Sequence, residues 1–356
     1  MPQFEAKRTL SRASMPTAIL FGLIAAAPSV RAFEPFPVCE AIDPVQFCDV
    51  EDIVPPTGVK QLIYSATHGA LVLKNSQSAI GIIKLDDQSS SLRFSYLDFT
   101  DMSISPSGRY VFAADYGGEN IGYGTPWQTS HVHRLDLADY SWDAKTAYIA
   151  GHVQAIADDQ VILKSIDQWV TFTNNSWGAG NALVTLNAAS GSWGPAYYAG
   201  VYEGDFRYVA SSGRLLHGNS GVSSQEIQAF RLTDNDFARQ EGSGIYGSAQ
   251  GYGESIALAT DQSAAYYGAL QVDPLDVTHN LRIFPELIVA ATGDIAFGED
   301  SYYDARSGAL LGHLGFTSSV YGLNTGGTDF WAFDSSQNLL RHFVRNDRIF
   351  SDGVDN

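Results

Sequence analysis

Asp101-Met102-Ser103-Ile104-Ser105-Pro106-Ser107-Gly108-Arg109-Tyr110-Val111-Phe112-Ala113-Ala114-Asp115 reads as a strand, a tight turn and a second strand. Pro106 presets the backbone for a turn and Gly108 accepts positive φ, while Tyr110, Val111 and Phe112 suit a pleated, buried surface. A third strand follows at His131-Val132-His133-Arg134-Leu135-Asp136-Leu137, and a turn with Trp142 leads into a fourth.

The same rhythm returns in degraded form. It runs from Lys60 to Leu73 with its turn at Gly69, from Gln154 to Leu163 (Asp158), and from Asp205 to His217 (Gly213). It runs again from Glu254 to Gly268 (Asp261), Asp294 to Asp304 (Glu299), and Ser319 to Phe333 (Gly326). The turn-to-turn steps are 39, 50, 55, 48, 38 and 27 residues, about 43 on average, which is the spacing of propeller blades. Leu135 before Trp142, Leu186 before Trp193 and Leu232 before Phe237 mark strands ending in a turn and an aromatic that can wedge between sheets. No helical periodicity appears from Gly58 onward. The fold expected is all-β, a single seven-bladed β-propeller over residues 58–346; six or eight blades also fit the spacing.

Ser105, Pro106, Gly108, Tyr110 and Val111 resemble the core of the YVTN family of bacterial β-propeller repeats, with Ser107 at its acidic turn position and Phe112-Ala113 at its aromatic–Val end. The resemblance covers one blade and implies the propeller fold.

The chain has 356 residues. Residues 1–32 have the order of a secretory signal: basic residues to Arg12, an apolar run Ala18 to Ala27, then Val30-Arg31-Ala32 before Phe33. The run falls short of the ~20 residues that span a bilayer. A secreted or periplasmic location, in a Gram-negative bacterium, is expected. Lys7, Arg8, Arg12 and Arg31 oppose only Glu5, so removing the signal takes the formal charge from −18 to −21. So acidic a chain will not hold a polyphosphate backbone, which excludes nucleic acid as a partner. Cys39 and Cys48 are the only cysteines, and an oxidising compartment would pair them, stapling a Pro-rich leader over residues 33–57. An acidic tail, residues 347–356, resembles that of some exported bacterial proteins.

Gly242-Ser243-Gly244-Ile245-Tyr246-Gly247 has dinucleotide-fingerprint spacing, but more glycines and a strand follow it where a helix should open, so no nucleotide is expected. Quinone-binding propellers carry a Trp-docking repeat in every blade, whereas only Trp142 and Trp193 hold equivalent places here, so no quinone is expected either.

Three groups of residues are candidates for chemistry. Asp101, Asp205, Glu254 and Asp294 each precede what reads as the first strand of a unit. First strands line a propeller's channel, so the four would form a ring that a hard cation such as Ca²⁺ could occupy. The bland alternative is that each bonds the backbone of its own blade. His131 and His133 share one strand face, close enough to ligate one metal or flank one ligand, or else to face solvent or a neighbouring blade. Three long connections complete the set: Tyr116 to Ser130 with Tyr123 and Trp127, Gly218 to Gln225 with Asn219 and Ser220, and Gln271 to Asn280. Gathered on one face, they would offer an aromatic and polar surface.

The function expected is an exported, non-catalytic binding or interaction module, a monomer that takes a protein, peptide or carbohydrate ligand. The alternative is a metal-dependent propeller enzyme, a lactonase-like hydrolase or polysaccharide lyase with its site at the channel mouth.

Overall fold

Ser105 closes its turn twice: its N–H donates to the Tyr110 carbonyl at 2.8 Å, and its Oγ accepts the Tyr110 N–H at 3.1 Å. Gly108 takes the left-handed conformation there, φ +75°, which a side chain would strain. The hydroxyl of Ser107 donates to Asp158 at 2.5 Å, joining this turn to the equivalent turn of the next repeat.

This hairpin belongs to one of seven four-stranded antiparallel sheets in the computed structural model. The structure describes residues 47–345 apart from 57, 78, 94–96, 98, 117–129, 148, 165–170, 174–175, 179–182, 198–203, 220–225, 233–236, 245–254 and 325. The innermost strands of blades 1 to 7 are Val59–Ser65, Phe99–Ile104, His152–Ala155, Phe206–Val209, Ile256–Leu258, Ala290–Ala291 and Tyr321–Leu323. Each contacts the innermost strand of the next blade, and that of blade 7 contacts that of blade 1. The ring is therefore closed: a seven-bladed β-propeller.

The core lies between the blades. Seven apolar clusters occur among the described residues, and each is shared by two neighbouring blades. Strand alternation makes this possible. Val111 and Ala113 face the blade-1 side, while Phe112 and Ala114 on the same strand face blade 3. A strand buried on both faces reads as an unbroken apolar run. Trp142 and Trp193 pack into the clusters between blades 1 and 2 and between blades 2 and 3, as wedges.

Three expectations are corrected. Blade 7 takes its fourth strand from the N-terminal side: Phe47–Ile53 pairs antiparallel with Leu339–Arg345, from Phe47 opposite Arg345 to Ile53 opposite Leu340. The propeller thus begins inside the stretch read as leader. Cys48 is buried in that strand, while Cys39 lies outside the described residues. In blade 6 the hairpin read as first and second strands is formed by the second and third, Ile295–Phe297 and Ser301–Asp304. The true inner strand, Ala290–Ala291, is too short and too plain to register in the sequence. Finally, Gln271 to Asn280 is not a long connection. Leu270–Asp273 and Asp276–Ile283 are neighbouring strands joined through Pro274-Leu275.

Candidate functional site

Asp101 sits on the inner strand of blade 2; among the described residues, the inward edge of each first strand has no sheet partner. Its Oδ1 accepts the N–H of Met102 at 2.8 Å and the Gln61 Nε2 of blade 1 at 2.9 Å. Its Oδ2 accepts the N–H of Val153, in blade 3, at 3.0 Å, with His152 Nδ1 at 3.6 Å. Burial raises the carboxyl pKa, but the His152 hydrogen bond and charge, the Arg207 charge and the Val153 N–H outweigh it and hold the group at about 2.

The same rung recurs around the channel. Gln61 in blade 1 takes the N–H of Met102 in blade 2 at 3.0 Å. Asp205 takes the N–H of Phe206 at 2.8 Å and that of Ile256, in blade 5, at 3.1 Å, with Arg207 Nη1 at 2.5 Å. In each case a side chain one place before a buried residue accepts the N–H of the matching buried residue on the next blade. A second rung lies two residues on, where Ser103 Oγ accepts the N–H of Ala155 at 2.9 Å. Asp101 and Asp205 are interblade ties, and their oxygens already hold donors.

Asp294 does not stand with them. It lies in the turn between first and second strands of blade 6, bonded to Thr292 Oγ1 at 2.9 Å and to Arg345 Nη1 of blade 7 at 2.6 Å. It followed the mistaken strand order into the ring. Glu254 falls outside the described residues, as do Tyr123, Trp127 and Ser220. Among the described residues no group of three or more His, Cys, Asp or Glu side chains is arranged to hold a metal ion.

His131 and His133 lie on the third strand of blade 2, Ser130–Asp136, with ring centroids 6.2 Å apart. The sequence reading missed their companion. Asp115 ends the second strand directly opposite His131, and its Oδ2 lies 3.6 Å from both His131 Nδ1 and His133 Nε2. Asp115 and His133 are buried, walled by the rings of Phe99 and Trp142, while the His131 side chain is 37% exposed. The arrangement is a buried carboxylate behind one buried and one accessible imidazole.

Asp115 has counterparts. The second strands of blades 1, 2, 4 and 7 are Ala70–Asn75, Tyr110–Asp115, Arg214–Asn219 and Asp329–Asp334, each six residues ending in a buried Asp or Asn. In blades 1 and 7 that residue caps a short turn. Asn75 Oδ1 accepts the N–H groups of Gln77 and Ala79 at 2.8 and 2.9 Å, and Asp334 Oδ1 those of Ser336 and Gln337 at 3.0 and 3.2 Å. In blade 4, Asn219 is 1% exposed, its carbonyl accepts the Tyr267 hydroxyl at 3.1 Å, and its Oδ1 has no hydrogen-bond partner among the described residues. Blades 2 and 4 are the ones with longer connections after this residue. The four-fold recurrence of Asp or Asn at a fixed strand position was the available signal, spread over segments too far apart to compare by eye.

No known protein family and no curated protein sequence matches the chain. Among solved structures it is similar to a chain of a crystal structure of a mitotic checkpoint complex, with a TM-score of 0.59 and 10% identity, covering 93% of this chain and 98% of that one. In all, 1045 solved chains match, so the likeness shows the fold and discriminates no function.

Proposed function

We propose that the protein is an exported, non-catalytic binding module whose ligand surface is the propeller end that carries the connections between second and third strands. The observation behind this reading is the contrast between equivalent residues. Asn75 and Asp334 cap turns, whereas Asp115 stands between two imidazoles and Asn219 presents a buried acceptor without a partner among the described residues. Buried polar groups are ordinarily satisfied, so the Asn219 Oδ1 at this end of a rigid scaffold marks a place where something else supplies the partner. Protein, peptide and carbohydrate ligands all present the required donors, and the net charge of −18 favours neutral or cationic ones. Removal of residues 1–32, a Cys39–Cys48 disulfide and descent from YVTN-type repeats belong to the same reading. A cation has no role in it at Asp101 and Asp205, whose oxygens accept backbone N–H groups.

The test is a binding screen of the protein lacking residues 1–32 against peptide and glycan panels, repeated with His131→Ala, His133→Ala and Asn219→Ala. The reading expects a ligand whose binding falls at least tenfold in these variants while thermal unfolding stays cooperative. Turnover of a lactone or uronate, abolished by His131→Ala, would overturn it in favour of the enzyme.

A further inference from the structure

Six large apolar side chains stand exposed among the described residues: Val50, Val54, Leu275, Leu281, Ile283 and Leu310. Three of them fall within residues 275–283, along one blade edge. This is the outermost strand of blade 5, Asp276–Ile283, with the turn residue Leu275 before it. Three other outer strands carry the usual protection of an exposed edge. Trp142–Ala147 bears Asp143 and Lys145, Trp193–Tyr197 bears Pro195, and Phe47–Ile53 bears Asp49, Glu51 and Asp52. The blade-5 edge carries Asp276 and Arg282 too, but exposes Leu275, Leu281 and Ile283 beside them. It is also loosely bound within its own blade. Only Asp276, Asn280, Arg282 and Ile283 have register partners on Leu270–Asp273, so residues 277–279 and 281 stand off the ladder.

The order of residues along this edge says what would cover it. Leu275-Asp276-Val277-Thr278-His279-Asn280-Leu281-Arg282-Ile283 is complementary to itself when read antiparallel. Leu275 meets Ile283, Asp276 meets Arg282, Thr278 meets Asn280, and His279 meets its own copy on the two-fold axis; Val277, which falls opposite Leu281, is buried in the core between blades 4 and 5 and takes no part in the contact. Both ends thus match apolar with apolar and negative with positive, the pairs that stabilise an antiparallel ladder. A two-fold contact needs this property, because one patch must recognise itself. Both charged groups are held in place at the strand's ends: Arg282 Nη1 donates to the Ala305 carbonyl at 3.2 Å, and Asp276 Oδ1 accepts the Thr278 N–H and hydroxyl at 3.1 and 2.5 Å.

We propose that the blade-5 edge is a homodimer interface, in which residues 275–283 pair antiparallel with the same residues of a second copy about an axis at His279. The assembly departs from the monomer expected of the sequence and does not depend on the ligand surface proposed above.

Charge reversal tests the register. Sedimentation velocity of the protein lacking residues 1–32, over a concentration series, should show self-association. Arg282→Asp and Asp276→Arg, each turning two cross-strand pairs repulsive, should weaken it about tenfold or more. The double variant should restore it to within about threefold. Opposed residues in such a ladder lie about 4.5–5.5 Å apart, within disulfide reach. His279→Cys should therefore give an oxidised dimer on a non-reducing gel, whereas Ile283→Cys, far from its own copy, should not. All these positions are on an exposed edge, and circular dichroism checks that each variant folds. A protein monomeric at every concentration overturns the proposal. So does association indifferent to the single reversals, or cross-linking as ready at residue 283 as at 279.

Discussion

Replacing Asp101 by Asn removes one charge and little volume from the most heavily bonded inner-ring tie. A pKa lowered from 3.8 to about 2 means that ionised Asp101 stabilises the fold. At about 1.4 kcal/mol per pH unit, the contribution at neutral pH is roughly 2 kcal/mol. The amide also turns an NH₂ toward donors, leaving the N–H of Val153 or the Gln61 Nε2 hydrogen aimed at Oδ1 without its acceptor at a further cost of about 1 kcal/mol. The total, about 3 kcal/mol, should lower the Tm by about 5 °C for a domain of roughly 300 residues, using about 2 cal/mol/K of unfolding entropy per residue. The sign with pH is fixed. A depressed carboxyl pKa gives stability that is present above 3.8 and lost as pH falls toward 2. The charge-dependent part of the gap between wild type and Asp101→Asn should therefore hold at pH 7 and 5 and shrink by about half near pH 3. Urea unfolding at pH 7, 5 and 3 measures it. A variant within 0.5 kcal/mol of wild type at pH 7, or a gap unchanged at pH 3, would refute the reasoning.

Three further outcomes follow from the packing. Asp205→Asn should cost about 1–2 kcal/mol in urea unfolding, since the blade-4 to blade-5 rung loses an acceptor for the N–H of Phe206 or of Ile256. Gly218→Ala should cost about 1–3 kcal/mol, because a Cβ there would sit 2.4 Å from Tyr267 Cε2 and 3.2 Å from Ile256 Cγ1, inside the blade-4 to blade-5 interface. Removing residues 47–53 should expose the edge of Leu339–Arg345 and uncover Trp331 and Leu340, and size exclusion should show aggregate in place of the closed ring.

Local chemistry made much of the fold legible. A Ser-Pro-Ser-Gly turn between apolar runs announces a hairpin, and six of the seven inner hairpins lie where their turn residues put them, around Gly69, Gly108, Asp158, Gly213, Asp261 and Gly326. Blade 6 escaped because a two-residue strand of alanines has no pattern to detect. The closing strand escaped for a different reason. Phe47–Ile53 pairs with residues almost the whole chain away, and nothing within seven residues encodes that distance. At the candidate site the sequence showed that His131 and His133 share a face, but Asp115 joins them only through cross-strand register. Asp101 and Asp205 stood out as acidic residues before or within inner strands. Whether such residues bond a cation or the next blade depends on how neighbouring inner strands abut, and the sequence is silent on that.

Thermal unfolding in EDTA and in excess Ca²⁺ examines most directly whether the inner-ring carboxylates are ties between blades. A cation bound only to the folded state at a hundredfold excess over Kd adds about 2.7 kcal/mol, a rise of several degrees in Tm. Carboxylates that tie blades together give the same midpoint in both buffers, for wild type and for Asp101→Asn alike. A midpoint that climbs with Ca²⁺ in the wild type and stays fixed in Asp101→Asn would contradict that role.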